Sequence, residues 1–293
     1  MIPRARAHLH VAVQTHAGLS GKQNEDRFAV TAYQRGPQDA TPVLCAVVAD
    51  GIGGHRAGEI AAEIAVNTIT HLVAISDGLR PLETLQYAVQ AASQEISRQA
   101  NDRERLGMGT TCACALVLGN RLYTASVGDS RIYLLRGDTL YRLTTDHTWV
   151  QEAIEKGILD AGSARRHPNY HVIRRYLGSA DPPQVDVRLR LKKDESDTQA
   201  RLNQGMPLTS ADIVLLCTDG LTDEVEDGEI ARLLRPDGGQ RDLAAHLEAA
   251  ARRLVELACQ RGGHDNITVI LIAMPDRQGE KKRRENWFSR LLH

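Results

Sequence analysis

The feature that most limits what this 293-residue chain can become is a set of apolar runs too short for helices, each meeting an acid among small residues. VLCAVVA at 43–49 runs into Asp50 and Gly51, and IVLLC at 213–217 runs into Thr218, Asp219 and Gly220. Gly128, Asp129 and Ser130 separate the runs at 121–127 and 131–135. Asn24, Glu25 and Asp26 precede RFAV, and Gly263, His264, Asp265 and Asn266 lead into ITVILIA at 267–273. Short apolar runs bounded by turn residues read as buried strands, and a further one covers 111–118. Asp-Gly alone is an ordinary turn, as at Asp77-Gly78, Asp227-Gly228 and Asp237-Gly238. An acid at the end of a strand is different, because the strand is rigid and holds it in place.

Acids that converge at one edge of packed sheets repel each other. They must take up protons or receive a cation between them. An all-oxygen ligand set suits hard divalent ions such as Mg²⁺ or Mn²⁺, whereas zinc favours His and Cys. A glycine beside such an acid lets its carbonyl come close to an ion, which is the expectation for Gly51. Gly53 and Gly54 are then expected to keep the site open and lead into the next helix. Glu59 near that helix start is favourable for the helix dipole.

Helical spacing is clear twice. Ala61, Ile64, Ala65, Ile69, Leu72 and Val73 share a face over roughly 58–75, and Leu243, Leu247, Ala250, Leu254 and Ala258 over roughly 241–260. Further helices are expected at 82–100 and 147–157. Gly-Asn within LGNRLY predicts a hairpin, and RGD at 136–138 a second turn, so the early and middle part reads as an antiparallel meander. Strands cluster, then helices, then strands, which indicates an α+β layered domain. Residues 147–178 read as a flap and 190–210 as a charged surface loop. The segment 1–274 reads as one domain and 275–293 as a basic, amphipathic tail. That tail is expected to fray or dock back, and its alternative is contact with a membrane or partner.

Composition removes several classes. A net charge of −1 gives no reason to propose a nucleic-acid partner. No apolar run reaches the ~18 residues of a membrane span, and no secretory signal is evident. Cys45, Cys112, Cys114, Cys217 and Cys259 form no C-x-x-C pair and read as buried reduced thiols, which implies a cytoplasmic protein.

In chain order the motifs are NED, DGIGGHRAGE, MGTT, GDSR, DH, CTDGLTD and GGHDNITV. Together they resemble the metal-dependent protein phosphatases, the type 2C family, in its bacterial branch. The likeness spans about residues 9–273. It implies a four-layer α-β-β-α sandwich, with two antiparallel sheets face to face and helices outside. It implies hydrolysis of phosphoserine and phosphothreonine in proteins by water activated between two Mn²⁺ or Mg²⁺ ions. On this likeness Asp50 bridges both ions, Gly51 offers its carbonyl to one, and Asp219 and Asp265 bind the other. Asp26 holds metal directly or through water, with Glu25 beside it. Asp129, with Asp219, matches a third and weaker ion site. Lys22, His55, Glu25 and Asn266 are secondary candidates around the site or its substrate. Met108 to Thr111, Arg131 and the Asp146–His147 pair read as scaffold.

Two departures stand out. Gly21 occupies the place where many relatives carry a phosphate-binding arginine, and neighbouring Lys22 is only a point charge. Ile52 follows Asp-Gly where animal relatives often have the histidine that protonates the leaving group. The implied partners are phosphorylated proteins, a Ser/Thr kinase or its targets, met by a monomer. The alternatives are a pseudophosphatase that only binds phosphoproteins and a phosphatase of anti-anti-sigma proteins.

Overall fold

The structure is a computed structural model and describes residues 1–52, 56–100, 107–192, 194–210, 212–236 and 242–275. His55, Gly53, Gly54 and the tail from 276 onward lie outside the described residues.

In chain order the elements are β1 (Ile2–Pro3), β2 (His10–His16), β3 (Arg27–Gln34), β4 (Pro42–Ala49) and β5 (Gly51–Ile52). Then come α1 (Arg56–Ile75), α2 (Pro81–Gln99), β6 (Gly109–Thr110), β7 (Cys112–Leu118), β8 (Arg121–Val127), β9 (Arg131–Arg136) and β10 (Thr139–Arg142). The chain continues with α3 (Trp149–Glu155), α4 (Ala161–Ala164), α5 (Asp197–Leu202), β11 (Met206–Pro207) and β12 (Ile213–Cys217). It closes with α6 (Asp219–Thr222), α7 (Asp227–Leu234), α8 (Leu243–Gln260) and β13 (Ile267–Ala273).

Two antiparallel sheets are ordered β1-β3-β4-β7-β8-β11 and β10-β9-β12-β13-β2. Strand alternation explains how they stack, since successive side chains leave a strand on opposite faces. In β4, Leu44, Ala46 and Val48 enter the layer between the sheets, where they join Ile132, Leu134, Val214, Leu216, Ile270 and Ile272. Val43, Cys45, Val47 and Ala49 point the other way, against Ala61, Ala65, Ile69 and Val73 of α1 and Leu85 and Val89 of α2. The second sheet repeats this with Leu215, Cys217, Val269 and Leu271 against Leu247, Ala251, Leu254 and Ala258 of α8. Both faces of each central strand are therefore buried, which is why these runs read as continuously apolar. The result is the expected α-β-β-α sandwich.

By length and composition α1 is apolar enough to cross a membrane over Ala57–Ile75. Its apolar stripe is instead part of the core, with Ala61, Ala65, Ile69 and Val73 fully buried.

Two expectations need correction. The hairpins at Gly119-Asn120 and Gly137-Asp138 both form, but β8 and β9 belong to different sheets, so there is no single meander. Alternation reports that a strand is two-sided, not which sheet it joins. The segment Gly128-Asp129-Ser130 is consequently a crossing between sheets. The charged stretch 190–210 is also no free surface loop. It contains α5, closed by a reciprocal capping box between Ser196 and Gln199, and α5 buries Ala200. Arg190 donates to Thr145 Oγ1, to the Glu195 carbonyl and to Asp197, so the charges of that stretch are largely spent on each other.

Candidate active site

In an antiparallel sheet the start of one strand and the end of its neighbour share an edge. Arg27 of β3 faces Ala49 of β4, Cys112 of β7 faces Val127 of β8, and Cys217 of β12 faces both Arg131 of β9 and Val269 of β13. Asp26, Asp50, Asp129 and Asp219 each sit one or two residues beyond one of these ends, and Asp265 sits two residues before Ile267, where β13 begins. All five come to the same rim of the sandwich.

Their mutual influence is visible in their protonation. Burial raises Asp50 well above the usual carboxylate range, and the charges of Asp219, Asp26 and Asp129 add to it. Burial also raises Asp129, again with help from Asp219. Asp26 is pushed up to about 7 by burial and by Asp219 and Asp265, against the pull of two hydroxyl hydrogen bonds. Asp219 is raised by burial, while its hydrogen bond with the Asp50 carboxyl opposes the shift. Asp26 Oδ1, Asp129 Oδ1 and Asp219 Oδ1 are buried without a hydrogen-bond partner among the described residues. Buried polar atoms in a folded protein are normally paired, so three orphaned carboxylate oxygens at one rim are an outlier. A donor set of oxygens with negative charge to neutralise fits hard divalent cations.

The scaffold around the acids is specific. Asp26 Oδ2 accepts from Thr218 Oγ1 at 2.9 Å and Thr268 Oγ1 at 2.7 Å, so one hydroxyl just after β12 and one within β13 orient the acid that precedes β3. The Asp50 backbone is clamped by the Thr110-Thr111 pair. Thr111 N and Thr110 Oγ1 donate to its carbonyl at 2.9 and 2.7 Å, and its N–H donates to Thr111 Oγ1 at 3.1 Å. The MGTT segment is thus scaffold, with the definite task of fixing Asp50.

Gly51 and Gly58 lie in mutual backbone contact. A Cβ on Gly51 would overlap the Gly58 backbone, and one on Gly58 would meet the Glu25 carboxylate. Close approach of α1 to β5 is therefore a reason for glycine at 51 in its own right, beside the carbonyl expected to face an ion.

The secondary candidates divide. Asn266 Oδ1 accepts from Glu25 N at 2.7 Å, and its Nδ2 donates to the Ala17 carbonyl, so it ties the first acidic loop to the last. Glu25 lies against Gly58 rather than apart from the cluster. Lys22 is exposed beside Gly21, whose φ is +74°. The arginine nearest to it in the sequence, Arg27, is engaged with Glu59 and with the Asn24 and Asp26 carbonyls.

Several contributors were not foreseen. Asp223 lies one helical turn after Asp219, and burial together with Asp219 pushes it up to about 8. The i,i+4 spacing inside CTDGLTD was the available signal. Thr218 and Thr268 carried none, because their partner is 192 and 242 residues away. Behind the rim, Arg131 donates to both Asp146 oxygens, and His147 Nδ1 accepts from Gly128 N at 3.0 Å, next to Asp129. That agrees with the scaffold reading of both residues.

Comparison with known proteins adds the context. The profile of the family described as Protein phosphatase 2C matches residues 14–256. The Serine/threonine phosphatase stp of Listeria innocua is 30% identical over 269 residues, covering 90% of this chain and 95% of that protein. The solved structure of the S. agalactiae serine/threonine phosphatase superposes with a TM-score of 0.76 at 28% identity, covering 91% of this chain and 99% of that one. The catalytic domain of the phosphatase PstP in complex with two manganese ions gives 0.70 at 31% identity, covering 92% and 99%. With the profile spanning most of its length and the sandwich shared with these structures, the chain belongs to the protein phosphatase 2C family.

Proposed function

We propose that this serine/threonine protein phosphatase hydrolyses phosphoserine and phosphothreonine esters at the carboxylate rim, with two divalent cations, Mn²⁺ or Mg²⁺, held there. The observation that carries the reading is the set of orphaned buried oxygens on Asp26, Asp129 and Asp219. In this reading Asp50, Asp219, Asp265, Asp26 and the Gly51 carbonyl would hold the two ions, with Asp50 as the acid shared by both. Asp129 and Asp219 form the place for a third.

When bound, such ions supply Lewis acidity that makes water acidic enough to attack near neutral pH and offsets charge on phosphoryl oxygens. The chain's own part is placement. Thr218 and Thr268 aim Asp26, Thr110 and Thr111 fix Asp50, and Asn266 joins the loops that carry Glu25 and Asp265. A rim prearranged in this way pays no reorganisation when charge develops. Lys22 is the basic side chain assigned to the substrate phosphate, in the place of the absent arginine.

The substrates in this reading are cytoplasmic phosphoproteins, a Ser/Thr kinase and its targets, met by a monomer. Residues 1–274 form the phosphatase domain, with 147–178 as the flap beside the site. The test is hydrolysis of a phosphothreonine peptide. Turnover that requires Mn²⁺ or Mg²⁺ and stops with EDTA is the expected result, and turnover indifferent to EDTA would overturn it. The pseudophosphatase alternative has only Gly21 in its favour, while the acidic set is complete.

A further inference from the structure

The flap carries His171 to the rim. Its Nδ1 lies 3.4 Å from Asp223 Oδ2, and one ligand atom each of His171, Asp219 and Asp223 falls within 4.8 Å of the others. Neither His171 nor Asp223 belongs to the ligand set assigned above, and the Asp129 place for a third ion uses neither. We propose that His171, Asp219 and Asp223 form a separate site for a transition-metal ion such as Zn²⁺, which fastens the flap over the active-site rim.

Three observations support it. First, the imidazole is placed by its backbone rather than by chance. Arg165 of the flap donates to the Thr222 carbonyl at 2.9 Å, immediately before Asp223, and Trp149 N donates to the Val172 carbonyl beside His171. The Tyr170 ring stands edge-on to the His171 ring at 5.0 Å. Second, Asp219 Oδ1 is buried and has no hydrogen-bond partner among the described residues, so the carboxylate shared with the rim is not tied up by the protein's own donors. Third, the donor chemistry differs from that of the rim. One imidazole nitrogen with two carboxylates favours Zn²⁺ and its neighbours over Mg²⁺, which prefers oxygen and keeps its waters. The two kinds of site can therefore be filled selectively. His171 is 69% exposed, so an ion can reach it from solvent.

The consequence is regulatory. With the ion in place, flap and α6 become one unit, and a phosphoprotein must fit beneath a fixed flap. Without it, the Arg165 contacts and the His171–Asp223 pair join them among the described residues.

The proposal rests on the phosphatase reading only in sharing Asp219, and the experiment keeps the two apart. Full-length protein in saturating Mg²⁺ is titrated with Zn²⁺ by equilibrium dialysis, and amide hydrogen exchange is followed over the flap. One Zn²⁺ per chain is expected to bind, with slower exchange around residues 165–175. His171→Ala and Asp223→Asn are each expected to weaken that binding about tenfold or more, on the scale of losing a single metal-site contact, and to abolish the change in exchange. His171→Cys, which keeps a zinc ligand, should retain both. Equal zinc affinity in wild type and His171→Ala, or flap exchange that ignores zinc in the wild type, would overturn the site. Mg²⁺-dependent hydrolysis of p-nitrophenyl phosphate by the wild type tests the phosphatase reading separately.

Discussion

Two groups of buried acids sit side by side in this molecule, and the same burial leaves them in opposite states. At the rim, Asp26, Asp50 and Asp129 are raised, and three of the rim's carboxylate oxygens lack partners. A few residues behind it, burial also pushes Asp146 and Asp186 up, but their partners more than reverse the effect. The Arg131 and Arg142 guanidiniums hold Asp146 below its ordinary value, and His147 and Arg188 do so for Asp186. One group was given its cations by the chain, and the other was left to take them from solution. Where acids are kept together without partners, the cost is borne for a ligand. Where each has an arginine, the acids are framework.

The contrast can be broken from either side. The largest effect is expected from Asp50→Asn, which removes the central acid of the unpaired group. Phosphopeptide turnover should fall on the order of 10²- to 10³-fold, while the EDTA-treated variant melts no lower than the wild type. A retained rate would mean Asp50 does not serve catalysis.

Arg131→Met attacks the paired group. It leaves Asp146, whose side chain is 10% exposed, with Arg142 as its remaining guanidinium partner and should cost about 2–3 kcal/mol in urea unfolding. The double variant Arg131→Met/Asp146→Leu should recover much of that loss. If the single variant unfolds like the wild type, Arg131 is not what keeps Asp146 charged.

The pH dependence of the metal-free protein sharpens the comparison further. Asp26 rises from 3.8 to about 7 in the folded state, and Asp223 to about 8. The folded chain holds these protons more tightly than the unfolded chain does. The stability they contribute is complete below the ordinary carboxylate range and drains away as pH climbs through 7 and 8. Asp186, lowered by its partners, has the opposite sense and loses its contribution only in acid. In EDTA the Tm should therefore fall between pH 5 and 8, and Mn²⁺ should flatten that slope. A Tm in EDTA that rises over this range would contradict the assignment of raised carboxyls to the rim.

Smaller effects are expected at the edge of the site. Gly58→Ala forces a methyl against Glu25 and Gly51 and should destabilise by about 1–3 kcal/mol in denaturant titration. Lys22→Ala, at an exposed position, should leave Tm within about a degree and raise the KM for a phosphopeptide. An unchanged KM would remove Lys22 from substrate binding.

Much was legible in the residues because it depends on local pattern. Every long strand predicted from an apolar run formed within a residue or so, since a run buried on both faces needs no knowledge of its neighbours. The four predicted helices also formed, with α3 shorter than expected at Trp149–Glu155. The five rim acids were found because a strand end followed by a small residue is itself a local pattern. Asp223 was missed although it stood inside a quoted motif, because a helical turn of four residues does not announce which face it presents. The capped α5 was hidden by its own charges, which made it look solvated.

By itself, then, the sequence determined the strands, the packing faces of α1 and α8, and the acids placed where strands stop. Tertiary structure alone decided that β8 and β9 part into different sheets, that Thr218 and Thr268 orient Asp26, and that the segment following α4 sets His171 beside Asp223. The reason is one of range. Periodicity and turn chemistry act over a few residues, whereas the charge state of a carboxylate depends on whatever the whole fold brings within a few ångströms of it.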